Sequence, residues 1–500
     1  MSQIRRQSII STIFVYAGFA IGFINTYLFT RSGSPFTPSQ YGLTGIFMAV
    51  GNLMFAFANM GMTSVLYKFY PYYKDNLPDK KNDLLAWVLA ASFIGFIVIT
   101  LAGYVFEPLV VRKFAARSSL FLDYYHLVFP FSLGFLLFSI LESYCWALQR
   151  TVLTNALKET VLRIITTAFI LLFYFKVISF ATFMQLFSIL YLIITLMLAS
   201  YLASIGKLNI TFRVSRVTKK FRKKMLGLQF FVFGGICLNA VAVTISGILI
   251  ASRIGLTATA IFSLAAYVAN LIEIPQRSIV SISTGVLSRA WKDKNFPEIS
   301  RIYHRSSINM LLFSLFIFGN VWLNIAQGIN LLHIQNEYLA GLGVVFVLGI
   351  AKIIDAGTGV NSVIIVTSTF WKFEFYTSVV LLGLRIPLAY ILIQRFGIIG
   401  PAYAELISQI VYNFIRYEFL RRRFRMQPFN TETIYTVILG TAGIVLTYFA
   451  FHNTAGWLGI IIRSALFSSV LIGGMFLLKL TPDAMQLVDV ARNRIQDWKK

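Results

Sequence analysis

Charged side chains fall inside long apolar runs of this 500-residue sequence, among them Lys158, Arg163, Arg277, Lys352, Arg385 and Arg463, with Glu142, Glu159, Glu273, Asp355 and Glu405. A charge held in hydrocarbon costs roughly 2.5–3.5 kcal/mol on insertion scales, so each needs a partner, a wet cavity or a snorkelling route to the interface. Glu159 and Arg163, like Glu273 and Arg277, are spaced i, i+4, and Lys352 and Asp355 are i, i+3. On a helix both spacings put the two partners on one face. Such pairs either neutralise themselves and ease insertion, or line a hydrated cavity. Glu142 and Glu405 have no basic residue three or four positions away. They are the better candidates for a titrating or cation-binding role, set against the plainer reading of a hydrogen-bonded structural acid. Arg163, Lys352 and Arg385 lie deep in their runs. Arg463 and Lys158 are near enough to an end to snorkel.

The elements that carry these charges follow from composition. Apolar residues make up 57% of the chain, charged residues 13%, and the mean hydropathy is +0.74. A water-soluble fold carries roughly 25% charge, so the solvent of this chain is lipid. A disordered chain, a secreted disulfide scaffold and a cytosolic enzyme are excluded. Cys145 and Cys237 lie in apolar runs, which argues against a disulfide framework or a cysteine metal site. Fourteen runs, from 9–29 to 457–478, have the length of about 20 residues that a helix needs to cross a bilayer. They must be helices, because lipid satisfies no backbone groups. The least distinct boundary is between the fifth and sixth runs, where Lys176 and its neighbours interrupt.

Lys and Arg set the orientation. With the N-terminus inside, 31 of the 44 fall in cytoplasmic segments and seven outside. Both termini are then cytoplasmic. The net charge of +25 is a topology signal with attraction to anionic lipid headgroups, and no nucleic-acid partner is expected. The first span is too long for a cleaved signal peptide and has no small-residue cleavage site.

A weak internal repeat is visible. Gly42-Leu43-Thr44 and Gly255-Leu256-Thr257 are 213 positions apart, as are Glu142 and Asp355. The expected fold is an all-α polytopic membrane protein of 14 transmembrane helices, as two six-helix lobes in parallel pseudo-repeat plus two C-terminal helices. The lobes are 1–206 and 227–421, joined by a basic cytoplasmic linker, 207–226, and 422–500 holds the last two helices and a tail. Pro275 should kink the eighth span between Glu273 and Arg277; Pro130, Pro387, Gly357 and Gly359 are further break points. Phe and Tyr are expected mainly on the lipid-facing surface and in the interfacial belt. No phosphate-binding G-x-x-x-x-G-K-[ST] occurs, the four histidines show no metal spacing, and no outer loop could fold into a catalytic domain. A transporter without catalytic residues, metal or cofactor is the default.

Fourteen spans as 6+6+2, the basic linker and the N-terminal run Ser8-Ile9-Ile10-Ser11-Thr12-Ile13 resemble the polysaccharide transporter branch of the multidrug/oligosaccharidyl-lipid/polysaccharide (MOP) flippase superfamily, the Wzx-type O-antigen flippases. The resemblance covers essentially the whole chain and rests on architecture, since no short motif is diagnostic. It implies a bacterial inner-membrane protein that moves undecaprenyl-pyrophosphate-linked oligosaccharide, an O-antigen or capsule repeat unit, between leaflets. It implies coupling to a proton or sodium gradient, and polysaccharide polymerase and chain-length proteins as further partners beside membrane lipids. Related lipid II flippases carry arginines in their first two spans; this sequence has none there, while Arg277 matches a basic position in that branch. On this reading Arg163, Arg277, Lys352 and Arg385 form a cationic cavity between the lobes, and Glu142, Glu159, Glu273, Asp355 and Glu405 are coupling or charge-pair residues. A cation-coupled multidrug exporter and a membrane polysaccharide polymerase remain as alternatives. Arg277→Ala or Lys352→Ala is expected to abolish surface glycan without loss of protein, and Arg463→Ala to be tolerated.

Overall fold

The computed structural model describes residues 3–483. Among these there is no strand, and twelve helical stretches are long and apolar enough to cross a membrane. One of them, Trp371–Phe424, is two helices turned at Gly397–Ile399. Segment 151–174 is a further helix, and it carries Lys158, Glu159 and Arg163. The spans are α1 (Gln3–Thr30), α2 (Pro38–Asn59), α3 (Leu84–Val105), α4 (Val128–Ala147), α5 (151–174), α6 (Phe180–Ser204), α7 (Arg216–Arg253), α8 (Leu256–Lys292), α9 (Phe296–Leu331), α10 (Leu342–Gly357), α11 (Trp371–Phe396), α12 (Gly400–Phe424), α13 (Thr431–Phe451) and α14 (Gly456–Leu477). The expected separation of fifth and sixth spans is real. Lys176 adopts a left-handed backbone (φ 58°), and Ser179 caps α6 by accepting from Thr182 N.

Two compact units pack separately, residues 1–260 and 261–500. The division falls after α7, which packs on α2 and on the helix Met62–Asn76. Both copies of the Gly-Leu-Thr motif therefore meet inside the first unit. A Cβ on Gly42 would stand 2.0 Å from the Leu256 carbonyl oxygen, and Ser39 Oγ lies 2.8 Å from Thr257 Oγ1. Lipid provides no hydrophobic drive between helices, so close approach at small residues of this kind supplies the packing.

Aromatic residues are not confined to the lipid face. Phe36, Phe131 and Phe183 are fully buried in the first unit, with Phe36 and Phe183 ring centroids 5.1 Å apart and edge-to-face. The rings fill space between helices as well as facing lipid, as Phe106 and Phe449 do.

Three breaks position the charges. The fifth span carries a π turn over Ala156–Val161, which includes Lys158 and Glu159. The eighth passes through a 3₁₀ turn, Leu271–Glu273, and resumes with Pro275 in its first turn, as proline geometry requires. The tenth ends at Gly357, with Gly359 at φ 64°, before the short helix Asn361–Thr367. Pro130 lies in the first turn of α4, whereas Pro387 is accommodated inside an unbroken α11.

Candidate functional site

In the first unit the charges gather on the π turn. Lys158 Nζ lies 3.2 Å from Glu142 Oε2, and Arg163 Nη2 lies 2.9 Å from Glu159 Oε2. Glu142 is thus not the unpartnered acid its local sequence suggests. The α4–α5 hairpin turns at 148–150 and brings together two residues that lie eight positions either side of Arg150. Helix α1 lies against this turn through Gly18 and Gly22. A Cβ on Gly18 would fall 2.2 Å from the Glu159 carbonyl oxygen, and one on Gly22 would fall 2.8 Å from Arg163 Nη1. The Arg163 guanidinium stands over the Phe19 ring at 5.2 Å. Asn25 donates to the Arg163 carbonyl at 3.0 Å and accepts from Thr167 Oγ1 at 2.6 Å.

In the second unit five side chains form a line of alternating sign across four helices. Arg277 Nη2 is 4.0 Å from Glu273 Oε2, and Glu273 Oε1 is 2.5 Å from Lys352 Nζ. The same ammonium is 3.6 Å from Glu405 Oε1, and Glu405 Oε2 is 3.9 Å from Arg385 Nη1. Arg385 Nε donates to Ser408 Oγ at 3.3 Å. Three cations and two carboxylates leave one positive charge in surplus. The Arg385 end is buried, with its side chain 8% exposed, and the Arg277 end is open at 67%. Glu405, like Glu142, has basic partners that come from other helices.

Asp355 does not ion-pair with Lys352 despite their spacing. Its Oδ1 accepts from Gln409 Nε2 at 2.5 Å and Asn413 Nδ2 at 3.0 Å, because α12 presents amides to it. Arg463 does not snorkel. Its guanidinium is buried, donating to Asn324 Oδ1 at 3.0 Å, to Gln327 Oε1 and to the Phe451 and Thr454 carbonyls. It clamps α14 to α9 and to the end of α13. Lys352 and Arg463 therefore both make contacts that hold helices together, so substitution of either is expected to cost stability.

Sequence reasoning also missed a buried pair. Arg416 ion-pairs with Glu374, its Nε donating to Oε2 at 3.0 Å, and its guanidinium lies 3.6 Å from the Tyr412 ring centroid. Ser362 and Tyr412 hydroxyls donate to the same carboxylate at 2.8 and 3.1 Å. The signal was an acid near the start of one helix and a base near the end of its antiparallel neighbour. Among the described residues no group of three or more His, Cys, Asp or Glu is arranged to hold a metal ion.

Comparison with solved structures shows a fold shared with membrane transporters. The lipid II flippase MurJ, in an inward closed conformation, superposes with a TM-score of 0.76 at 16% identity, over 94% of this chain and 98% of that one. An inward-facing multidrug resistance MATE family transporter of the MOP superfamily gives 0.66 at 14% identity, over 81% and 94%. A Vibrio cholerae MATE transporter gives 0.52 at 15% identity, over 85% and 96%. No protein-family model and no curated protein matches the sequence.

Proposed function

We propose that this chain is a flippase of the bacterial inner membrane, with both termini cytoplasmic. It moves a polyprenyl-pyrophosphate-linked oligosaccharide, such as an O-antigen or capsule repeat unit, between leaflets by alternating access. The observation that carries this reading is the alternating charge line of the second unit, with its surplus positive charge at the exposed Arg277. Glu273 has its other oxygen on Lys352, so it only partly engages Arg277 at 4.0 Å. A pyrophosphate is a stronger partner, since guanidinium and phosphate match as a two-bond fork. When such an anion binds Arg277, the hold of Glu273 on that arginine weakens, and the acid settles on Lys352. Asp355, held by amides and in no ion pair among the described residues, and Glu142 are the carboxylates we assign to coupling with a proton or sodium gradient. The superposition on the flippase runs over 94% of the chain, against 81% and 85% for the two MATE transporters, which supports flipping over drug export.

The test is reconstitution of the purified chain in proteoliposomes with a short-chain polyprenyl-pyrophosphate disaccharide. Appearance of the sugar to an external lectin measures translocation. Protein-dependent translocation that Arg277→Ala reduces at least tenfold is the expected result. Export of ethidium without movement of the lipid would replace this reading with the multidrug exporter.

A further inference from the structure

The linker and the start of α7 form a surface with no role in the transport reading. From Glu159 to Glu273 the sequence holds no acidic residue between those two, and eight Lys or Arg crowd 207–224. The structure pins one side of this segment to the first unit. Lys207 Nζ lies 2.6 Å from Asp79 Oδ2, a bond that holds the ammonium above the usual lysine range, and Tyr144 donates to the Lys207 carbonyl at 3.0 Å. Asp83, fully buried, accepts from Ser215 N at 2.9 Å and Thr218 Oγ1 at 2.7 Å, fixing the first turn of α7. Val217 is buried, and the Phe221 ring packs on Phe69 and Tyr72 with centroids 5.7 and 4.9 Å away.

The other side has two textures. Residues 216, 219, 220, 223 and 224 follow helical spacing, are all basic, and are all exposed. Just before them Ile210, Phe212 and Val214 alternate along an extended stretch, each about half exposed. Phe212 meets Trp87 edge-on at 6.3 Å, and Trp87 is in the first turn of the apolar α3. A Trp at the end of an apolar span marks the water–lipid boundary, so the exposed apolar stretch lies at that level. Cations beside apolar side chains at a bilayer boundary match a charged lipid surface. A nucleic-acid surface of this charge would present its aromatic rings for stacking, whereas Phe221 is turned inward and Phe212 is engaged with Trp87.

We propose that 207–224 is a docking surface for the anionic headgroups of bilayer phospholipids, with Lys219, Lys220 and Lys223 on phosphates and Ile210 and Phe212 in the acyl boundary. Because this surface includes the first turn of α7, which Asp83 at the start of α3 holds, lipid charge acts directly on where α7 begins. The inference does not depend on what is transported.

The test uses the full chain carrying Cys145→Ala, Cys237→Ala and Ile210→Cys, with an environment-sensitive fluorophore on the new thiol. The protein is placed in vesicles of phosphatidylcholine alone or with one third phosphatidylglycerol, each containing a shallow spin-labelled quencher. Quenching that needs phosphatidylglycerol is expected, with the phosphatidylglycerol requirement rising about fivefold for each of Lys219→Gln, Lys220→Gln and Lys223→Gln. Equal quenching in pure phosphatidylcholine, no response to the substitutions, or an equal response to added single-stranded RNA would overturn the proposal. A transport-inactive protein would still give the lipid result, so the two readings fail separately.

Discussion

Lys352 Nζ stands 2.5 Å from Glu273 Oε1 and 3.6 Å from Glu405 Oε1, so one ammonium joins a carboxylate on α8 to one on α12. All three side chains are largely buried, at 17%, 26% and 19% exposure. Removing the cation leaves two acids facing each other in a site that shields them poorly from one another. Lys352→Met should lower unfolding stability by about 3 kcal/mol, the low end for breaking a buried pair because these groups are partly solvated. Glu273→Gln added to it should recover part of the loss. Melting temperatures of the two single variants and the double variant in detergent check this; additive effects would mean that the pair is not coupled.

Arg463 has four acceptors and no carboxylate among them. Two are backbone carbonyls, that of Phe451 at the end of α13, where the helix dipole favours a cation, and that of Thr454 in the turn that follows. Arg463→Ala should release the α13–α14 hairpin from α9 at a cost of about 2 kcal/mol, as Asn324 and Gln327 lose their partner. Ser464→Ala, which removes one bond from Asn324, should cost less. Faster proteolysis in 425–430 for the arginine variant alone is the readout.

The contact between α1 and the π turn allows no added volume. Gly18→Val should be destabilising by about 1–3 kcal/mol, the range for overpacking, because the nearest atoms are backbone and cannot rotate away. Gly22→Val meets the Arg163 guanidinium, which can move, so the smaller effect is expected there. Gly473→Ala, with open space around its Cβ position, is the control. Thermal unfolding of the three variants should rank in that order, and an unaffected Gly18→Val would mean that α1 is not held at this turn.

The span pattern, the breaks at Pro275 and Gly357 and the positions of the buried charges were legible in the sequence, because hydrocarbon imposes length, apolarity and internal hydrogen bonding on each helix separately. The partners of those charges were not. Pairing by i, i+3 or i, i+4 sees one helix only, whereas a charge held in lipid is also met by a neighbour on another helix. Glu142 with Lys158 could have been read from their equal distance to Arg150 in the turn, since antiparallel helices place such residues near one level. Glu273 with Lys352 could not, as 79 positions and two intervening turns separate them. Arg416 was missed for a further reason. Near the end of α12 it reads as one more cytoplasmic base beside Arg421 and Arg422, and only its burial against Glu374 and Tyr412 distinguishes it.

Arg277 differs from every other charge on its line in being mostly exposed, and its pair with Glu273 is loose at 4.0 Å. An exposed pair contributes about 0–1 kcal/mol, so Arg277→Ala should leave expression and melting temperature near those of the unaltered chain. Transport should nonetheless fall, because a charge-assisted bond to phosphate of about 1.5–3 kcal/mol corresponds to roughly ten- to hundredfold in binding. Arg277→Lys keeps the charge and loses the two-bond fork, so it should fall between the two. Half-saturating lipid concentration in the proteoliposome assay separates these outcomes. Lys352→Met, by contrast, should lower stability and transport together. If Arg277→Ala instead unfolded the protein while Lys352→Met did not, the exposed end of the charge line would be a structural anchor, and the phosphate would have to be held elsewhere.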